Sequence, residues 1–295
     1  MRIAAVDVGT NSTRLLICET KGAQRPSELA RRLLTTRIGE QMGSDQKLKE
    51  KPMLRTIEAL AGYSRLCGEL GVDRVRVVAT SAVRDAANSR FFKELVREKV
   101  GWELDIITGE REALLSYSGA IKGLGIKSPG ALVIDIGGGS TEFIWNPGAI
   151  VSRSFNVGAV RMTEGGHSEE EIKGLLEPVL GLIADYDPTA VIGVGGTATT
   201  LAAMDQQLKV YDAGLIHGYR LSLPRVGKIL RCLKSLPLEE RKQLPGLQPE
   251  RADIIIAGVT ILKIILQELG RKDNQEIIVS ETDLLHGLIY EEAGL

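Results

Sequence analysis

The sequence predicts an α/β protein of two similar lobes with a cleft between them, and three observations support this. Short runs of β-branched residues alternate with longer segments of helical periodicity, which is typical of α/β architecture. A strand–loop–strand motif occurs at 6–17 and again at 134–145. The 295 residues are enough for two domains. We therefore expect each lobe to present one loop to a common cleft.

Strands are predicted where apolar and β-branched residues form short runs bounded by turn residues. Nine runs meet this description, and both copies of the repeated motif contain two of them. The predicted strands are Arg2–Val8, Thr13–Cys18, Arg74–Ala79, Glu103–Ile107, Ala131–Ile136, Glu142–Trp145, Ile150–Asn156, Ala190–Val194 and Glu276–Val279.

Three of the helices between these strands have clear start signals. Pro52 opens a segment whose apolar residues recur at helical spacing. Ser168 and Glu171 have the spacing of a capping box before a helix over Ile172–Ala184. Pro249 is predicted to open a long buried helix, because proline is favoured in the first turn.

The helical pattern is interrupted at 123–129, where glycine, serine and proline accumulate. We place the domain boundary there. The predicted domains are 1–124, which holds the first loop, and 125–295, which holds the second. A variant of this division has the last helix packing on the first lobe, which would make that lobe discontinuous.

Composition and charge exclude several functions. With 37 basic and 38 acidic residues the formal charge is −1, so no overall attraction to a nucleic acid polymer is expected. The longest apolar stretch, at 254–266, is too short for a membrane span, and the first residues do not form the apolar run that a signal peptide needs. We expect a cytoplasmic protein whose cysteines, Cys18, Cys67 and Cys232, are small buried hydrophobic residues. The apolar excess at 254–269 is compatible with a homodimer and equally with an ordinary core.

The two loops are suited to binding phosphate. Residues 6–17 read VDVGTNSTRLLI and residues 134–145 read IDIGGGSTEFIW, with Asp, Gly, Ser and Thr at the same offsets. Glycine lets several amides turn to one side and lets a ligand approach the main chain. One such loop is equally typical of a hairpin turn, but two matching loops favour phosphate. The candidate phosphate-binding residues are Gly9, Thr10, Asn11 and Ser12, and Gly137, Gly138, Gly139, Ser140 and Thr141.

An aspartate, Asp7 or Asp135, leads each loop. A carboxylate repels bare phosphate unless a divalent cation lies between them, and oxygen ligands with phosphate are the usual environment of Mg²⁺. Glu142 is close enough in sequence to add a carboxylate. A third glycine turn, at 193–197, is as consistent with a plain strand-to-helix turn as with an anion site.

These segments carry a family resemblance. The paired loops resemble the phosphate loops of the actin-like ATPase superfamily, whose lobes have a ribonuclease H-like fold. Within it the chain is similar to the exopolyphosphatase and guanosine pentaphosphate phosphohydrolase (Ppx/GppA) family. The resembling segments include DVGTNSTRLLI (7–17), TRIGEQM (36–42), VVATSAVRDAANSRFF (77–92), ITGEREALLSYSGA (107–120), VIDIGGGSTEFI (133–144), FNVGAVRMTE (155–164), IGVGGTATTLAA (192–203), IHGYRLS (216–222) and RADIIIAGVTIL (251–262).

The resemblance implies an Mg²⁺-dependent hydrolase of phosphoric anhydrides. Glu112 would be the general base, although its position alone is more typical of an exposed helix-start glutamate. Asp135 and Glu142, with Asp7, would hold Mg²⁺, and Arg84 would bind phosphate together with the loops. Longer family members continue into a helical domain, and for a chain of this length we expect shorter polyphosphate chains as substrates.

The first functional hypothesis is removal of the terminal phosphate of inorganic polyphosphate. The second is hydrolysis of guanosine pentaphosphate in the same site. Two other classes stay open: an actin-like ATP-dependent kinase, and a protein that senses polyphosphate or an alarmone without turnover, or forms filaments. A basic track along the cleft would attract a polyanion despite the near-zero net charge. Its candidates are Arg14, Arg37, Lys122, Arg161 and Arg220.

Overall fold

Strands and helices alternate along the whole chain, as the sequence predicts. We analysed a computed structural model, which describes residues 1–22, 25–42, 46–126, 130–269 and 276–295. The elements before residue 127 are β1 (Arg2–Val8), β2 (Thr13–Glu19), β3 (Ser27–Leu34), α1 (Glu50–Glu69), β4 (Arg74–Ala79), α2 (Ser81–Arg84), α3 (Ser89–Val100), β5 (Leu104–Ile106) and α4 (Gly109–Leu124).

The second half of the chain begins with the second copy of the repeated motif. Its elements are β6 (Ala131–Ile136), β7 (Thr141–Trp145), β8 (Val151–Phe155), α5 (Ala159–Glu164), α6 (Glu169–Tyr186), β9 (Ala190–Val194), α7 (Gly195–Asp205), α8 (Ala213–Ile216), β10 (Arg220–Ser222), α9 (Leu223–Ser235), α10 (Leu238–Arg241), a 3-10 turn (Pro249–Arg251), α11 (Ile255–Leu269), β11 (Glu276–Val279) and α12 (Leu284–Glu292).

The described strands form two sheets with the same core topology. The first has the order β3-β2-β1-β4-β5, and the second has the order β10-β11-β9-β6-β7-β8. In both, an antiparallel hairpin (β1–β2 or β6–β7) carries the loop, and its first strand also pairs with a parallel strand (β4 or β9). The internal repeat in the sequence therefore corresponds to a repeated sheet, which confirms the predicted α/β class.

The chain divides into two compact units. Unit 1 comprises Met1–Gly119 and Leu284–Leu295, and unit 2 comprises Ala120–Asp283. The division falls within α4, after Gly119 rather than after Leu124, and α12 belongs to unit 1. Gly123 does not interrupt the helix: a β-carbon there would overlap the side chain of Thr282, so its absence permits a close contact within unit 2. Of the predicted boundary residues, 127–129 lie outside the described residues.

Unit 1 buries apolar residues on both faces of its sheet. Along β1, Ala4, Val6 and Val8 pack into a core with α1 and α3. The alternate residues Ile3 and Ala5 pack into a second core with α4 and α12. This alternation follows from the two-residue period of a strand and explains why β1 is apolar throughout.

Unit 2 has its own core, in which α6, α9 and α11 pack on the sheet. The predicted capping box of α6 is confirmed: the Glu171 amide donates to Ser168 Oγ (3.2 Å), and the Ser168 amide donates to Glu171 Oε2 (2.7 Å). The apolar side chains of α11 are buried, so an ordinary core accounts for the apolar excess of this segment.

Four details differ from the sequence predictions. The edge strands β3 and β10 were not predicted; β3 has the exposed, polar sequence SELARRLL. Pro249 opens only a 3-10 turn, and the long helix begins at Ile255. Helix α1 begins at Glu50, two residues before Pro52. Cys232 is exposed on the polar side of α9, whereas Cys18 and Cys67 are buried as expected. Among the described residues, no helix is both long and apolar enough to cross a bilayer.

Candidate active site

The first loop, residues 9–12, is a closed turn between β1 and β2. The Gly9 amide donates to the Ser12 carbonyl (3.0 Å). A β-carbon at Gly9 would lie only 3.2 Å from the Ser12 oxygen, so a larger residue would require this turn to shift by a few tenths of an ångström. Thr10, Asn11 and Ser12 are buried, and Gly9 is half-buried.

The carbonyl groups of this loop are turned toward the protein. The Asn11 carbonyl accepts from the Arg37 amide (2.8 Å), and the Thr10 carbonyl accepts from the Gly39 amide (3.1 Å). Among the described residues, no acceptor bonds the amides of residues 10–12. A buried amide requires an acceptor. These amides are therefore available to an anionic ligand.

Asp7 is buried at the end of β1 beside this loop. Its cross-strand partner is Arg14, whose Nη2 and Nε donate to Asp7 Oδ2 at 2.7 and 3.0 Å. The other oxygen, Oδ1, is buried and accepts no hydrogen bond from the described residues. The same is true of Asn11 Oδ1. The first loop thus combines donor amides with two buried acceptor oxygens.

The second loop repeats this turn in unit 2. The Gly137 amide donates to the Ser140 carbonyl (2.9 Å), as Gly9 does to Ser12. Amides at the start of α5 bind the loop carbonyls, from Ala159 to Gly137 (2.9 Å) and from Val160 to Gly138 (2.8 Å). In the described part of the chain, the amides of residues 138–140 donate to no protein group. In both predicted loops, therefore, carbonyl groups accept hydrogen bonds from the protein, and amides are available to a ligand.

Two carboxylates lie directly opposite each other beside the second loop. Asp135 on β6 pairs in register with Glu142 on β7, and the side chains are only 9% and 1% exposed. Glu142 Oε1 accepts a hydrogen bond from Ser154 Oγ (2.8 Å) on the neighbouring β8. Like charges directly opposite destabilise a sheet, and a cation between them removes that cost. This pair is the strongest candidate for a metal site.

A third glycine turn lies beside Asp135, and one arginine lies against this turn. Gly195, at φ +78°, opens α7, and a β-carbon there would lie 2.5 Å from Asp135 Oδ1. A β-carbon at Gly196 would overlap the guanidinium of Arg251. The turn at 193–197, which the sequence left open between two interpretations, thus lies against a predicted site residue.

Glu112 is in the first turn of α4 and is buried, with 8% exposure. Thr108 caps this helix, because its Oγ1 accepts from the Arg111 amide (3.2 Å). Arg84 Nη1 donates to Glu112 Oε2 (2.9 Å) and to the Ile107 carbonyl (3.2 Å). Glu110, two residues earlier, is exposed. Glu112 therefore differs from an ordinary exposed glutamate at a helix start: it is buried and is paired with another predicted site residue, Arg84.

The predicted site residues form two groups, one in each unit. Unit 1 holds the first loop, Asp7, Arg84 and Glu112, and unit 2 holds the second loop, Asp135 and Glu142. In the described ranges, no cluster of three or more His, Cys, Asp or Glu side chains is placed to hold a metal. A metal at Asp135 and Glu142 would complete its coordination with water and phosphate oxygens, as Mg²⁺ commonly does.

The predicted basic residues have mixed positions. Arg161 Nε donates to the Gly139 carbonyl (2.8 Å), and Arg14 binds Asp7, so both lie beside a loop. Arg220 instead forms an ion pair with Glu276 (3.7 Å) at the β10 edge of the sheet. Lys122 lies in the last turn of α4.

Sequence reasoning did not single out three residues of the site. Arg251 and Gly158 lie within resembling segments, which was the available signal. A β-carbon at Gly158 would lie 2.5 Å from the Gly138 carbonyl oxygen, so this glycine lets α5 approach the second loop. Ser154 had no local signal, because its role depends on the pairing of β7 with β8.

Comparison with known proteins identifies relatives over the full chain. The model of the Ppx/GppA phosphatase family matches residues 16–295. Exopolyphosphatase 2 of Mycobacterium tuberculosis is 33% identical over an alignment 315 positions long, which covers 99% of each protein. The crystal structure of an exopolyphosphatase from Cytophaga hutchinsonii matches with a TM-score of 0.90 at 27% identity, covering 100% of this chain and 98% of that one. The Aquifex aeolicus member of the Ppx/GppA family matches with a TM-score of 0.80 at 32% identity, covering 99% and 97%. These similarities confirm the actin-like fold class and the resemblance inferred from the sequence.

Proposed function

Because the chain belongs to the Ppx/GppA phosphatase family, whose members hydrolyse phosphoric anhydrides, we propose that it is an exopolyphosphatase. It would release the terminal phosphate of inorganic polyphosphate as orthophosphate. The main support is the pair of equivalent loops, whose amides are available and whose carbonyls are held by the protein. Such loops bind the oxygens of phosphate groups and do not contact any other part of a ligand.

In this proposal Mg²⁺ is held by Asp135 and Glu142. The fit rests on two buried, opposed carboxylates, one of which is oriented by Ser154. Asp7 Oδ1 is a further candidate ligand, directly or through water, although Arg14 already neutralises much of this carboxylate. When bound, the metal would neutralise charge on the phosphate oxygens, which is its usual role in phosphoryl transfer.

Glu112 is proposed as the general base. It would accept a proton from the attacking water as the water oxygen bonds to the terminal phosphorus in line with the breaking P–O bond. The shortened chain leaves with its terminal oxygen. Arg84 would hold the Glu112 carboxylate in place through Nη1, which also donates to the Ile107 carbonyl, while Nε lies 3.8 Å from Asp85 Oδ1. The Nη2 donors of the guanidinium would then bind a phosphate.

Guanosine pentaphosphate is the second candidate substrate, because it also ends in a phosphoric anhydride. The contacts of the loops do not distinguish it from polyphosphate. Polyphosphate stands first because the relatives that match over full length carry the name exopolyphosphatase.

The test is phosphate release from polyphosphate of short and long defined lengths and from guanosine pentaphosphate, with Mg²⁺ or EDTA. Glu112→Gln should lower kcat by about 10²- to 10⁴-fold, the usual contribution of a positioned base. The matched control is Glu110→Gln, an exposed glutamate of the same helical turn, which should retain wild-type kcat.

Other outcomes would favour the other classes. Binding of these substrates with no phosphate release by the wild type would support a sensor. ATP-dependent phosphorylation of an acceptor would support a kinase. Equal activity of Glu112→Gln and Glu110→Gln would refute the assignment of the base.

A further inference from the structure

Unit 1 contains a pocket of about 490 Å³ that includes no residue of either phosphate loop. One wall is a face of α1, and the other is formed by the end of β3 and the two residues after it. Gly62 lies where the pocket is open, because a β-carbon at this position would have only Arg65 Nη2 within 4 Å, at 3.8 Å. Its volume is in the range of sites for small organic ligands.

The lining of this pocket has an excess of positive charge. It includes three arginines, Arg32, Arg55 and Arg65, and one acidic residue, Glu58. The Arg55 guanidinium is fixed and its charge is balanced, because Nε donates to the Thr36 carbonyl (2.7 Å) and Nη2 pairs with Glu40 (2.7 Å), so the excess positive charge comes from Arg32 and Arg65. Guanidinium groups arranged around a pocket favour phosphate or carboxylate groups, which they bind through paired hydrogen bonds.

Apart from Gly62 and two threonines, Thr35 and Thr36, the remaining lining is apolar or aromatic. Leu34, Ala59 and Leu66 line the pocket together with Tyr63, which is buried. Bare polyphosphate has no apolar surface and would gain nothing from these side chains. A ligand with both an anionic group and a flat apolar body would use the whole lining.

From this combination we propose that the pocket binds an organic phosphate of about nucleotide size, separately from the phosphate loops. Two residues that line the pocket are hydrogen-bonded to Thr13, at the start of β2. Thr36 Oγ1 and Thr13 Oγ1 form a hydrogen bond (2.7 Å), and Tyr63 donates to the Thr13 carbonyl (2.8 Å). Thr13 directly follows the first loop, so a ligand in the pocket would contact the residues that fix the end of that loop.

The test is calorimetric titration of the whole protein with ADP, pyrophosphate and adenosine in EDTA, which suppresses hydrolysis. ADP carries both the charge and the flat body, whereas the other two compounds carry one feature each. ADP should bind with a dissociation constant below about 1 mM, and the part of its affinity that depends on Gly62 should exceed that of pyrophosphate or adenosine, since pyrophosphate also fits the phosphate loops.

Gly62→Leu fills the pocket and is compatible with a helix interior, where leucine is favoured over glycine. It should weaken ADP binding by about tenfold or more, the loss expected for one or more charge-assisted hydrogen bonds. Gly68→Leu is the matched control: Gly68 lies on the same helix, outside the pocket and with open space around it. Arg65→Ala should weaken ADP binding without filling the pocket.

Three results would overturn the proposal: equal ADP affinity in Gly62→Leu and Gly68→Leu, a loss of pyrophosphate affinity in Gly62→Leu as large as the loss of ADP affinity, or no ADP binding to the wild type. The readout is binding rather than turnover. A failure here is therefore distinct from a failure of the proposed hydrolysis.

Discussion

Position 14 and position 142 are equivalent in the two hairpins, and they carry opposite charges. Arg14 lies across from Asp7, while Glu142 lies across from Asp135. The first aspartate is therefore neutralised within the protein. The second faces another carboxylate, so the two leading aspartates have different electrostatic requirements although the loops have the same backbone geometry.

This difference predicts a metal effect on stability that does not depend on turnover. Mg²⁺ at about ten times its dissociation constant should raise the Tm of the wild type by roughly 2–5 °C. Glu142→Gln should abolish that rise, because one ligand and its charge are lost. Without metal it should be at least as stable as the wild type, since the buried like-charge repulsion is removed. Thermal unfolding with Mg²⁺ or EDTA measures both effects.

Glu103→Gln is the control for this prediction, because Glu103 is exposed and lies outside the site. Its Tm should respond to Mg²⁺ as that of the wild type does. An equal Mg²⁺ response in Glu142→Gln would mean that the metal binds elsewhere.

At the scale of elements, one ion-pair network joins three helices of unit 2. Glu169, in the first turn of α6, accepts from Lys263 of α11 (2.6 Å) and pairs with Lys234 of α9 (3.5 Å). The hydrogen bond from Lys263 is the main reason that the pKa of Glu169 is lowered from its ordinary value of 4.5. Lys263, the only charge in the apolar part of α11, thus has a defined partner.

The lowered pKa fixes the sign of a pH effect. The network stabilises the fold above pH 4.5, where Glu169 is ionised in both states, and this contribution is lost as pH falls through the lower folded-state pKa. Glu169→Gln should therefore cost roughly 1 kcal/mol at pH 7, and its stability should converge with that of the wild type in acid. Denaturant unfolding at pH 7 and below pH 4.5 tests this expectation.

Glu170→Gln supplies the comparison, because Glu170 is exposed in the same turn. It should leave the stability difference between the two pH values unchanged. A constant deficit of Glu169→Gln at both pH values would show that packing, rather than charge, is responsible.

Local sequence signals predicted the elements whose structure depends on near neighbours. The loop-bearing strands and the α6 capping box depend on residues within a few positions of each other. Strand β3 was missed because an exposed edge strand needs no apolar alternation, so its sequence resembles that of a helix. Contacts such as Ser154 with Glu142 and Arg251 with Gly196 join separate elements, and no local pattern encodes them.

The whole molecule divides the proposed chemistry between its units. The proposed base, Glu112, and its partner Arg84 belong to unit 1, whereas the opposed carboxylates belong to unit 2. Unit 2 is one continuous segment, Ala120–Asp283, with its own core. Unit 1 depends on α12, which returns from the C-terminal end of the chain. Unit 2, with the proposed metal site, can therefore be expressed as one continuous segment, whereas unit 1, with the proposed base, cannot.

Expressed alone, the segment Ala120–Asp283 should fold, because its apolar faces are buried within the unit. Its Tm should rise with Mg²⁺, and Glu142→Gln in the same fragment should remove that rise. It should release no phosphate from polyphosphate, since the proposed base is absent. Circular dichroism, thermal unfolding and a phosphate assay test these points. Mg²⁺-dependent phosphate release by the fragment would show that unit 2 carries a complete catalytic site and that Glu112 is not the base. A folded fragment whose Tm ignores Mg²⁺ would instead mean that Asp7 or another group of unit 1 is required to hold the metal.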